Sequence, residues 1–287
     1  MGNEMSEVDA APFAIANRVR ERVAAGAIAL GIGVRAVRSG EIALLAKATG
    51  HDFLYIDTQH AVFDGQQITQ IAQAALGAGV APFVRVRSAA DPDISRYLDA
   101  GILGIVAPDV VSADQARQLV AAAKYGPMGR RSVAGMSVHY DFRAAPADVQ
   151  MRAENDAVMV FCMIESREGL DSIDEIAAVP GVDGLYLGLG DLLADMGIPG
   201  EFTGPEVGDA LRTLVDVTRR HGLVAGSGGA PAPQLQLRAI AAGVRFLMTS
   251  SDLGLIRSGA DRARRELLAG LPDGILADVT AGAEGSR

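Results

Sequence analysis

The stretch that decides the fold runs from Pro82 to Ala107 and reads PFVRVRSAADPDISRYLDAGILGIVA. It opens with an apolar run and continues through Asp91-Pro92, a typical helix start with proline at the first helical position. The helical pattern ends at Ala100-Gly101, a typical helix end, and a second apolar run, Gly104–Ala107, follows at once. The stretch therefore predicts a strand, a helix and a second strand, which is the repeating unit of a parallel α/β protein.

The same alternation extends along the chain in both directions. Near-continuous apolar runs are typical of strands that are buried on both faces, and amphipathic stretches between them are typical of helices. The predicted strands are Ala29–Val34, Phe53–Asp57, Pro82–Val86, Gly104–Ala107, Met159–Ile164, Gly184–Leu187, Leu223–Ala225 and Arg245–Thr249. The predicted helices are Gly40–Thr49, Gln66–Ala78, Pro92–Ala100, Ala113–Ala123, Gly169–Ala178, Gly204–His221 and Ala232–Ala242.

Units of this kind without a break in composition predict one α/β domain over residues 1–287, a closed (β/α)8 TIM barrel. We expect an additional N-terminal helix over Ala11–Ala25, and loose termini at residues 1–10 and 273–287. The alternative is a doubly wound open sheet, which needs a glycine-rich phosphate-binding turn after its first strand. The segment from Gly31 to Ala36 does not have that G-x-G-x-x-G spacing.

The composition narrows the range of functions. The net charge of −9 disfavours nucleic acid and anionic membranes as partners, and the apolar runs are too short to span a bilayer. The single cysteine, Cys162, excludes an internal disulfide and a cysteine-based zinc site. The N-terminus lacks the basic start and apolar stretch of a signal peptide, so we expect a cytoplasmic protein.

Lysine is rare, and its two positions limit the chemistry. Lys47 falls within a predicted helix and Lys124 at the end of one, so neither follows a predicted strand. An aldolase that forms a Schiff base needs a lysine among the reacting groups. If the chain performs such chemistry, a metal ion must withdraw the electrons instead.

Two acids, Glu165 and Asp191, follow consecutive predicted strands at the end where barrel enzymes place their active sites. Neighbouring strands lie ~4.8 Å apart, and carboxylates that close repel each other unless a positive charge separates them. A hard divalent cation such as Mg²⁺ or Mn²⁺ is the simplest solution. The alternative is pairing with nearby arginines, for which Arg167 is a candidate.

Three further polar residues fall at strand ends or within a strand. His60 follows Asp57 by three residues, and a carboxylate beside an imidazole favours a general base, although a structural loop histidine is the alternative. Arg85 lies in an apolar strand, where a guanidinium needs an anion. That anion is either a substrate carboxylate or an internal acid such as Glu165. The long connection over residues 126–157 is a candidate lid, with His139 as a weaker candidate residue.

Five segments, spread over roughly residues 27–268, match the motifs of a known family. They are Asp52-Phe-Leu-Tyr-Ile-Asp-Thr-Gln-His60; Phe83-Val-Arg-Val86 with Asp91-Pro92 and Leu98-Asp-Ala-Gly101; Lys124-Tyr-Gly-Pro-Met-Gly-Arg-Arg-Ser132; Ile164-Glu-Ser-Arg-Glu-Gly169; and Gly188-Leu-Gly-Asp-Leu192 with Asp195-Met-Gly197. In these segments the chain resembles the HpcH/HpaI family of metal-dependent (class II) pyruvate aldolases.

The resemblance implies a role for each candidate residue. Glu165 and Asp191 would hold the metal, which would be Mg²⁺, Mn²⁺ or Co²⁺. Arg85 would bind the oxo acid and stabilise the enolate oxygen, and His60, oriented by Asp57, would move protons. The implied reaction is the reversible aldol cleavage of a 4-hydroxy-2-oxo acid to pyruvate and an aldehyde.

The resemblance also implies contacts beyond this core. The backbone amides of Gly190 and Asp191 would hold the substrate carboxylate. Asp99 matches a position that can reach the site of a neighbouring subunit. The expected assembly is a homo-hexamer, a trimer of dimers that exchange a C-terminal helix, here Leu255–Leu268.

The chain departs from the family pattern at three places. Gln59, a candidate substrate contact, stands where the family has glutamate, which removes a negative charge near the base. Met163 stands where the family has a polar residue, so one supporting hydrogen bond is missing. An extra residue between Arg85 and Asp91 leaves either Arg85 or Arg87 as the anion-binding arginine; Arg85 fits the motif better, and both are expected to point the same way.

Three other functions remain open from the sequence. Oxaloacetate decarboxylation would use the same metal and enolate. A CoA-thioester lyase resembling the citrate lyase β-subunit would need a basic patch for the CoA phosphates, and none is obvious. A non-catalytic barrel is disfavoured by the set of polar residues at the strand ends. The aldehyde half of the substrate is expected to be selected by loops such as 61–66 and 126–157.

Overall fold

The computed structural model describes residues 14–230 and 232–272. Eight parallel strands form a closed barrel in chain order, and the last strand pairs with the first. The strands are β1 (Ala29–Val34), β2 (Phe53–Asp57), β3 (Ala81–Arg85), β4 (Gly104–Ala107), β5 (Met159–Ile164), β6 (Gly184–Gly188), β7 (Val224–Gly228) and β8 (Phe246–Ser251). The predicted (β/α)8 barrel is therefore confirmed, and the doubly wound alternative is wrong.

Helices cover the outside of the barrel. They are α1 (Arg18–Ala24), α2 (Glu41–Ala48), α3 (Gly65–Ala78), α4 (Ile94–Asp99), α5 (Ala113–Ala123), α6 (Ala147–Ala157), α7 (Arg167–Asp171), α8 (Ile173–Ala177), α9 (Leu189–Asp195), α10 (Pro205–His221), α11 (Pro233–Ala242) and α12 (Asp252–Ala269). The predicted N-terminal helix is confirmed only over α1, and its first residues, like the tail after Leu271-Pro272, lie outside the described residues. No helix in the described ranges is long and apolar enough to cross a membrane.

Local sequence signals explain where several helices begin and end. Asp64 and Gln67 form a reciprocal capping box at the start of α3, and Gly79 ends that helix in the left-handed conformation. The side chain of Ser166 caps the start of α7. Helix α7 ends just before Ser172 and α8 begins just after it, so the single helix predicted over Gly169–Ala178 is in fact two short helices.

Strand β7 differs most from its prediction. The apolar run predicted a strand over Leu223–Ala225, whereas the ladder with β6 continues to Gly228, which pairs with Gly188. Glycine is depleted in strands, so composition alone did not indicate this half of the strand. Glycine is required at position 228 for a steric reason, because a Cβ there would overlap the Tyr186 hydroxyl.

Aromatic side chains fill the interior of the barrel. Phe53 and Phe246 stack with ring centroids 4.0 Å apart, and Phe83 and Phe161 pack against Phe246 at 5.0 and 4.7 Å. All four are fully buried. The interior of the barrel is therefore filled by packed rings. The candidate site residues lie above these rings, at the C-terminal ends of the strands, around an opening that we call the mouth.

The long connection over residues 126–157 lies at the opposite end of the barrel from the mouth. Helix α5 returns the chain to the N-terminal ends of the strands, and the imidazole of His139 lies 3.2 Å from the Ile102 carbonyl, just before β4. The prediction that this connection is a lid is therefore wrong, because it does not lie at the mouth of its own barrel. His139 is a buried structural residue. Lys124 also lies at this end, where its ammonium group donates to the carbonyls of Asn155 and Val158.

Candidate active site

A cavity of about 390 Å³ opens at the mouth of the barrel. Six of the residues singled out in the sequence line it, and each follows or ends a strand: Asp57, His60, Arg85, Glu165, Gly190 and Asp191. Met163 lies in its wall, whereas Gln59, Arg87 and Asp99 do not line it. Most of the candidate residues that follow predicted strands therefore lie together at one cavity at the C-terminal end of the barrel.

Asp57 and Arg85 form a two-point ion pair between the ends of β2 and β3. Arg85 donates from Nε to Oδ1 at 3.0 Å and from Nη2 to Oδ2 at 2.6 Å. Burial raises the pKa of Asp57, but hydrogen bonds from Arg85 and from the His60 backbone outweigh it and hold that pKa below its ordinary value. Asp57 is therefore ionised and fixes the plane of the Arg85 guanidinium. The alternative of an internal acid as the partner of Arg85 is therefore confirmed, although that acid is Asp57 and not Glu165.

The structure also corrects the expected role of Asp57 toward His60. The Asp57 carboxylate accepts the backbone N–H groups of Gln59 and His60, as aspartate does in a tight turn after a strand. No hydrogen bond among the described residues joins it to the His60 imidazole, which is exposed at the rim. Asp57 thus orients the arginine and the turn instead of the imidazole.

Arg85 and Arg87 point to different environments. Strand β3 ends at Arg85, so the strict alternation that would align the two side chains does not continue. Arg87 donates to both oxygens of Asp91 and also to Asp93, with about half of its side chain exposed. Of these two arginines, only Arg85 faces the cavity, and the expectation that both point the same way is wrong.

Glu165, directly after β5, is buried with one oxygen unpaired. Its Oε1 accepts the Asp109 N–H at 2.8 Å, whereas Oε2 is buried and has no hydrogen-bond partner. Burial raises the pKa of Glu165 to about 7, and the nearby charges of Asp109 and Asp191 add to this. Gly188 has no side chain to compete for the space, because a Cβ there would collide with Oε2. Glu165 Oε2 is thus a buried acceptor that a positively charged ligand would stabilise.

This arrangement fits a hard divalent cation. Glu165 and Asp191 line one cavity. The buried Glu165 Oε2 lowers the stability of the fold unless a cation or a hydrogen-bond donor binds to it. Arg167 does not pair with them, since its backbone N–H donates to Asp195 and its guanidinium to the Met196 carbonyl. No group of three or more potential metal-binding side chains occurs in the described part of the chain. The protein would supply two ligands and leave the other positions to substrate and water.

Comparison with known proteins shows to which family the chain belongs. Residues 38–258 match the family model described as HpcH/HpaI aldolase/citrate lyase. The chain belongs to the HpcH/HpaI family. A 2-keto-3-deoxy-L-rhamnonate aldolase of Escherichia coli O157:H7 is 32% identical over 248 residues, covering 86% of this chain and 92% of that protein.

Solved structures with the same fold include the following two. An HpcH/HpaI aldolase from Desulfitobacterium hafniense DCB-2 is 28% identical with a TM-score of 0.84, covering 90% of this chain and 99% of that one. The citrate synthase SbnG is 27% identical with a TM-score of 0.79, covering 88% and 98%. The predicted class is thereby confirmed: this HpcH/HpaI protein is an enzyme of the class II aldolase type, a carbon–carbon lyase.

Asp99 does not contribute to its own chain's cavity. It ends α4, at the N-terminal end of the barrel, where its Oδ1 accepts a hydrogen bond from Arg131 at 2.7 Å. Its side chain is partly exposed. Any contact of Asp99 with an active site would therefore be with the site of another HpcH/HpaI subunit, as the resemblance implied.

Two buried tyrosines, Tyr55 and Tyr186, form the floor of the cavity and were not singled out in the sequence. Their rings stack with centroids 5.6 Å apart, and neither hydroxyl has a hydrogen-bond partner among the described residues. Burial raises the pKa of both phenols, so they remain neutral hydrogen-bond donors. In an apolar strand they read as core aromatics, and only the closed barrel shows that they face inward below the mouth.

Arg35 was also missed, although the strand-end rule would have selected it. It directly follows β1 and lines the cavity. Its backbone N–H, with those of Ala36 and Val37, donates to the buried carboxylate of Asp252 at the start of α12. A pattern search confined to local sequence cannot join two residues that lie this far apart in the chain.

Proposed function

We propose that this enzyme cleaves a 4-hydroxy-2-oxo acid reversibly to pyruvate and an aldehyde, with a divalent cation held by Glu165 and Asp191. The observation that carries the proposal is the buried, unpartnered Glu165 Oε2 in the same cavity as Asp191 and Arg85. Mg²⁺, Mn²⁺ and Co²⁺ are the candidates, since oxygen ligands with open positions suit such ions. When bound there, the cation polarises the 2-oxo group and stabilises the negative charge that forms on it.

Arg85 binds the oxo-acid half in this proposal. Its Nε and Nη2 are held by Asp57, which leaves Nη1 to donate to the 2-oxo oxygen as negative charge develops there. Because the guanidinium is already oriented, little reorganisation is needed during the reaction. The first-turn N–H groups of Gly190 and Asp191 in α9 lack helical acceptors and can hold the substrate carboxylate.

His60 moves the proton. It lines the cavity with an exposed imidazole, in reach of a substrate hydroxyl on the solvent side. It takes the proton of the 4-hydroxyl group as the C3–C4 bond breaks, the bond's electron pair passes to the oxo-acid fragment, and the aldehyde leaves. The carbon C3 then takes up a proton and completes pyruvate. Gln59 adjoins His60 but does not line the cavity, so no substrate contact is assigned to it; its buried Oε1 has no hydrogen-bond partner among the described residues.

Oxaloacetate decarboxylation is a second reaction that the same site supports. It uses the same oxo-acid half, so Glu165, Asp191 and Arg85 would serve it unchanged. It releases carbon dioxide in place of an aldehyde and has no hydroxyl proton for His60 to remove.

The direct test is metal removal and restoration. The protein is stripped with a chelator and assayed for pyruvate release from a 4-hydroxy-2-oxo acid, before and after addition of Mg²⁺, Mn²⁺ or Co²⁺. We expect activity to vanish on stripping and to return with at least one ion. Undiminished turnover in exhaustively demetallated protein would contradict the proposal.

We also propose that the enzyme assembles as a homo-hexamer, a trimer of dimers that exchange α12. Of the residues in this 18-residue helix only Asp252 is buried on its own barrel. Four of its large apolar side chains are 45–71% exposed: Leu253, Leu255, Ile256 and Leu267. An apolar face of this kind needs a partner surface. Sedimentation or light scattering that gave a monomer at micromolar concentration would contradict this assembly.

A further inference from the structure

Helix α12 reaches the mouth of its own barrel through one buried residue. Of the residues of α12, all of which lie in the described ranges, only Asp252 is buried, with 2% of its surface exposed. The helix begins directly after β8, at the C-terminal end of the barrel. A carboxylate buried at this point needs several donors to offset the loss of solvation. The proposed function leaves Asp252 without a role.

The donors come from the segment that follows β1, which we call the β1 loop (residues 35–37). Asp252 Oδ2 accepts the backbone N–H groups of Ala36 and Val37, each at 2.8 Å. The N–H of Arg35 donates to both oxygens of the carboxylate, at 3.0 and 3.1 Å. The N–H groups of Ala36 and Val37 donate to no other group in the described part of the chain. One side chain thus satisfies the backbone donors of the β1 loop and holds this loop against the start of α12.

The position of the β1 loop is transmitted into the cavity by the side chain of Arg35. Its Nε lies 3.3 Å from Asp57 Oδ2. The same oxygen accepts a hydrogen bond from Arg85 Nη2 at 2.6 Å, and Asp57 fixes the plane of the Arg85 guanidinium. Two positive charges therefore act on one carboxylate that is 3% exposed. A displacement of the β1 loop changes the charge beside Asp57 and, with it, the placement of Arg85.

A second buried aspartate makes a similar contact away from the mouth. Asp52, 4% exposed, accepts the N–H of Leu30 at 3.1 Å, near the start of β1. Neither Asp52 nor Leu30 lines the cavity, whereas Arg35, which Asp252 holds, does. Both aspartates fix the backbone at one end of the same strand, but only Asp252 fixes a residue of the cavity.

We infer that Asp252 is a positioning residue for the proposed reaction. It fixes the β1 loop, and through Arg35 and Asp57 it keeps Arg85 in the orientation in which that arginine stabilises the developing enolate. This inference rests on the proposed function, because Arg85 has that task only in the proposed reaction. It makes the start of α12 a support of the active site, although Asp252 itself does not line the cavity.

The test compares Asp252→Asn with Asp52→Asn. Each replacement keeps the size of a buried side chain and exchanges one acceptor oxygen for an NH₂ group. Asp252→Ser, which keeps one acceptor in a smaller side chain, is made alongside in case the amide disturbs folding. Three properties are measured on each protein: hydrogen exchange of the backbone amides of residues 35–37, Mn²⁺ binding, and exchange of the pyruvate methyl protons in D₂O by metal-loaded enzyme. The last reaction needs only enolate formation, so it reports the oxo-acid half alone.

We expect both Asp252 variants to speed amide exchange in the β1 loop about tenfold or more, since its N–H groups lose acceptors. The kcat of methyl-proton exchange should fall about tenfold to a hundredfold, as expected when a change outside the reacting groups misplaces one of them. The KM for pyruvate and Mn²⁺ binding should change little. Asp52→Asn should lower the Tm and leave kcat, Mn²⁺ binding and amide exchange of the β1 loop close to those of the wild type.

Two kinds of result overturn the inference while the proposed function stands. One is a wild-type kcat of methyl-proton exchange in folded Asp252→Asn. The other is an equal loss of kcat in Asp52→Asn, or unfolding of both Asp252 variants, because either would assign Asp252 to the stability of the fold alone. Absence of methyl-proton exchange in wild-type enzyme that binds Mn²⁺ overturns the proposed function, and the inference with it.

Discussion

The two ends of the barrel use the same residue types in opposite ways. At the N-terminal end, Asp183 accepts hydrogen bonds from Arg20 and from the Val160 N–H and lies 3.3 Å from the Lys124 ammonium. Asp52 pairs there with two arginines of α1. At the mouth, Glu165 keeps one buried oxygen with no partner. At the N-terminal end, the charges of the acids are neutralised by ion pairs within the protein. At the mouth, the unpaired oxygen of Glu165 indicates where a ligand must supply the positive charge.

The largest effect should come from changing the unpaired acid at the mouth. Glu165→Gln removes the proposed metal ligand but keeps the size of the side chain. We expect kcat/KM to fall about a thousandfold or more, because the cation supplies several kcal/mol of transition-state stabilisation. Thermal unfolding should show a Tm equal to or above that of the wild type, since a buried unpaired charge is removed. A variant that keeps its turnover, or that fails to fold, would contradict this assignment.

The matching change at the paired end should affect stability and spare activity. Asp183→Ala leaves the Lys124 ammonium, 3% exposed, without its carboxylate. We expect a loss of about 3 kcal/mol in the free energy of unfolding, the usual cost of breaking a buried pair, with kcat nearly unchanged. Chemical denaturation measures it. The control is Asp174→Ala, which breaks an exposed pair with Arg220 and should cost less than about 1 kcal/mol. Equal losses in the two variants would refute the contrast.

The smallest effect separates the two reactions that the mouth can support. His60→Ala should slow carbon–carbon cleavage of a 4-hydroxy-2-oxo acid by about a hundredfold, within the range of general-base contributions. Oxaloacetate decarboxylation should change much less, because it has no hydroxyl proton to remove. Parallel steady-state assays of the two reactions measure the ratio. Equal slowing of both would show that His60 binds the shared oxo-acid half instead of moving the hydroxyl proton.

The sequence predicted the barrel because apolar runs and helix ends are local signals. The ends of β1, β2, β4 and β5 agree with the prediction residue for residue. Strand β7 was placed too early because Gly226 and Gly228 carry no apolar signal, although they are strand residues in the structure. The candidate lid was wrong because the direction of α5, and not the length of the loop, determines at which end the connection lies.

The sequence predicted which residues lie together at the mouth better than it predicted which of them contact each other. Glu165, Asp191 and Arg85 line one cavity, as expected from strand ends. Which acid pairs with Arg85 depends on the register of β2 and β3, in which Asp57 lies beside Arg85, and a single sequence does not fix such a register. The Arg35 loop is held by Asp252, more than 200 residues away along the chain, and no local pattern predicts that contact.

The central claim is tested most directly by the binding of Mn²⁺ to demetallated protein, followed by calorimetry or by the loss of the free-ion paramagnetic signal. The account predicts one ion bound per chain in the wild type, and none at the same concentration in Glu165→Gln or Asp191→Asn. Binding of equal strength in the wild type and both variants, or no binding in the wild type, would contradict it.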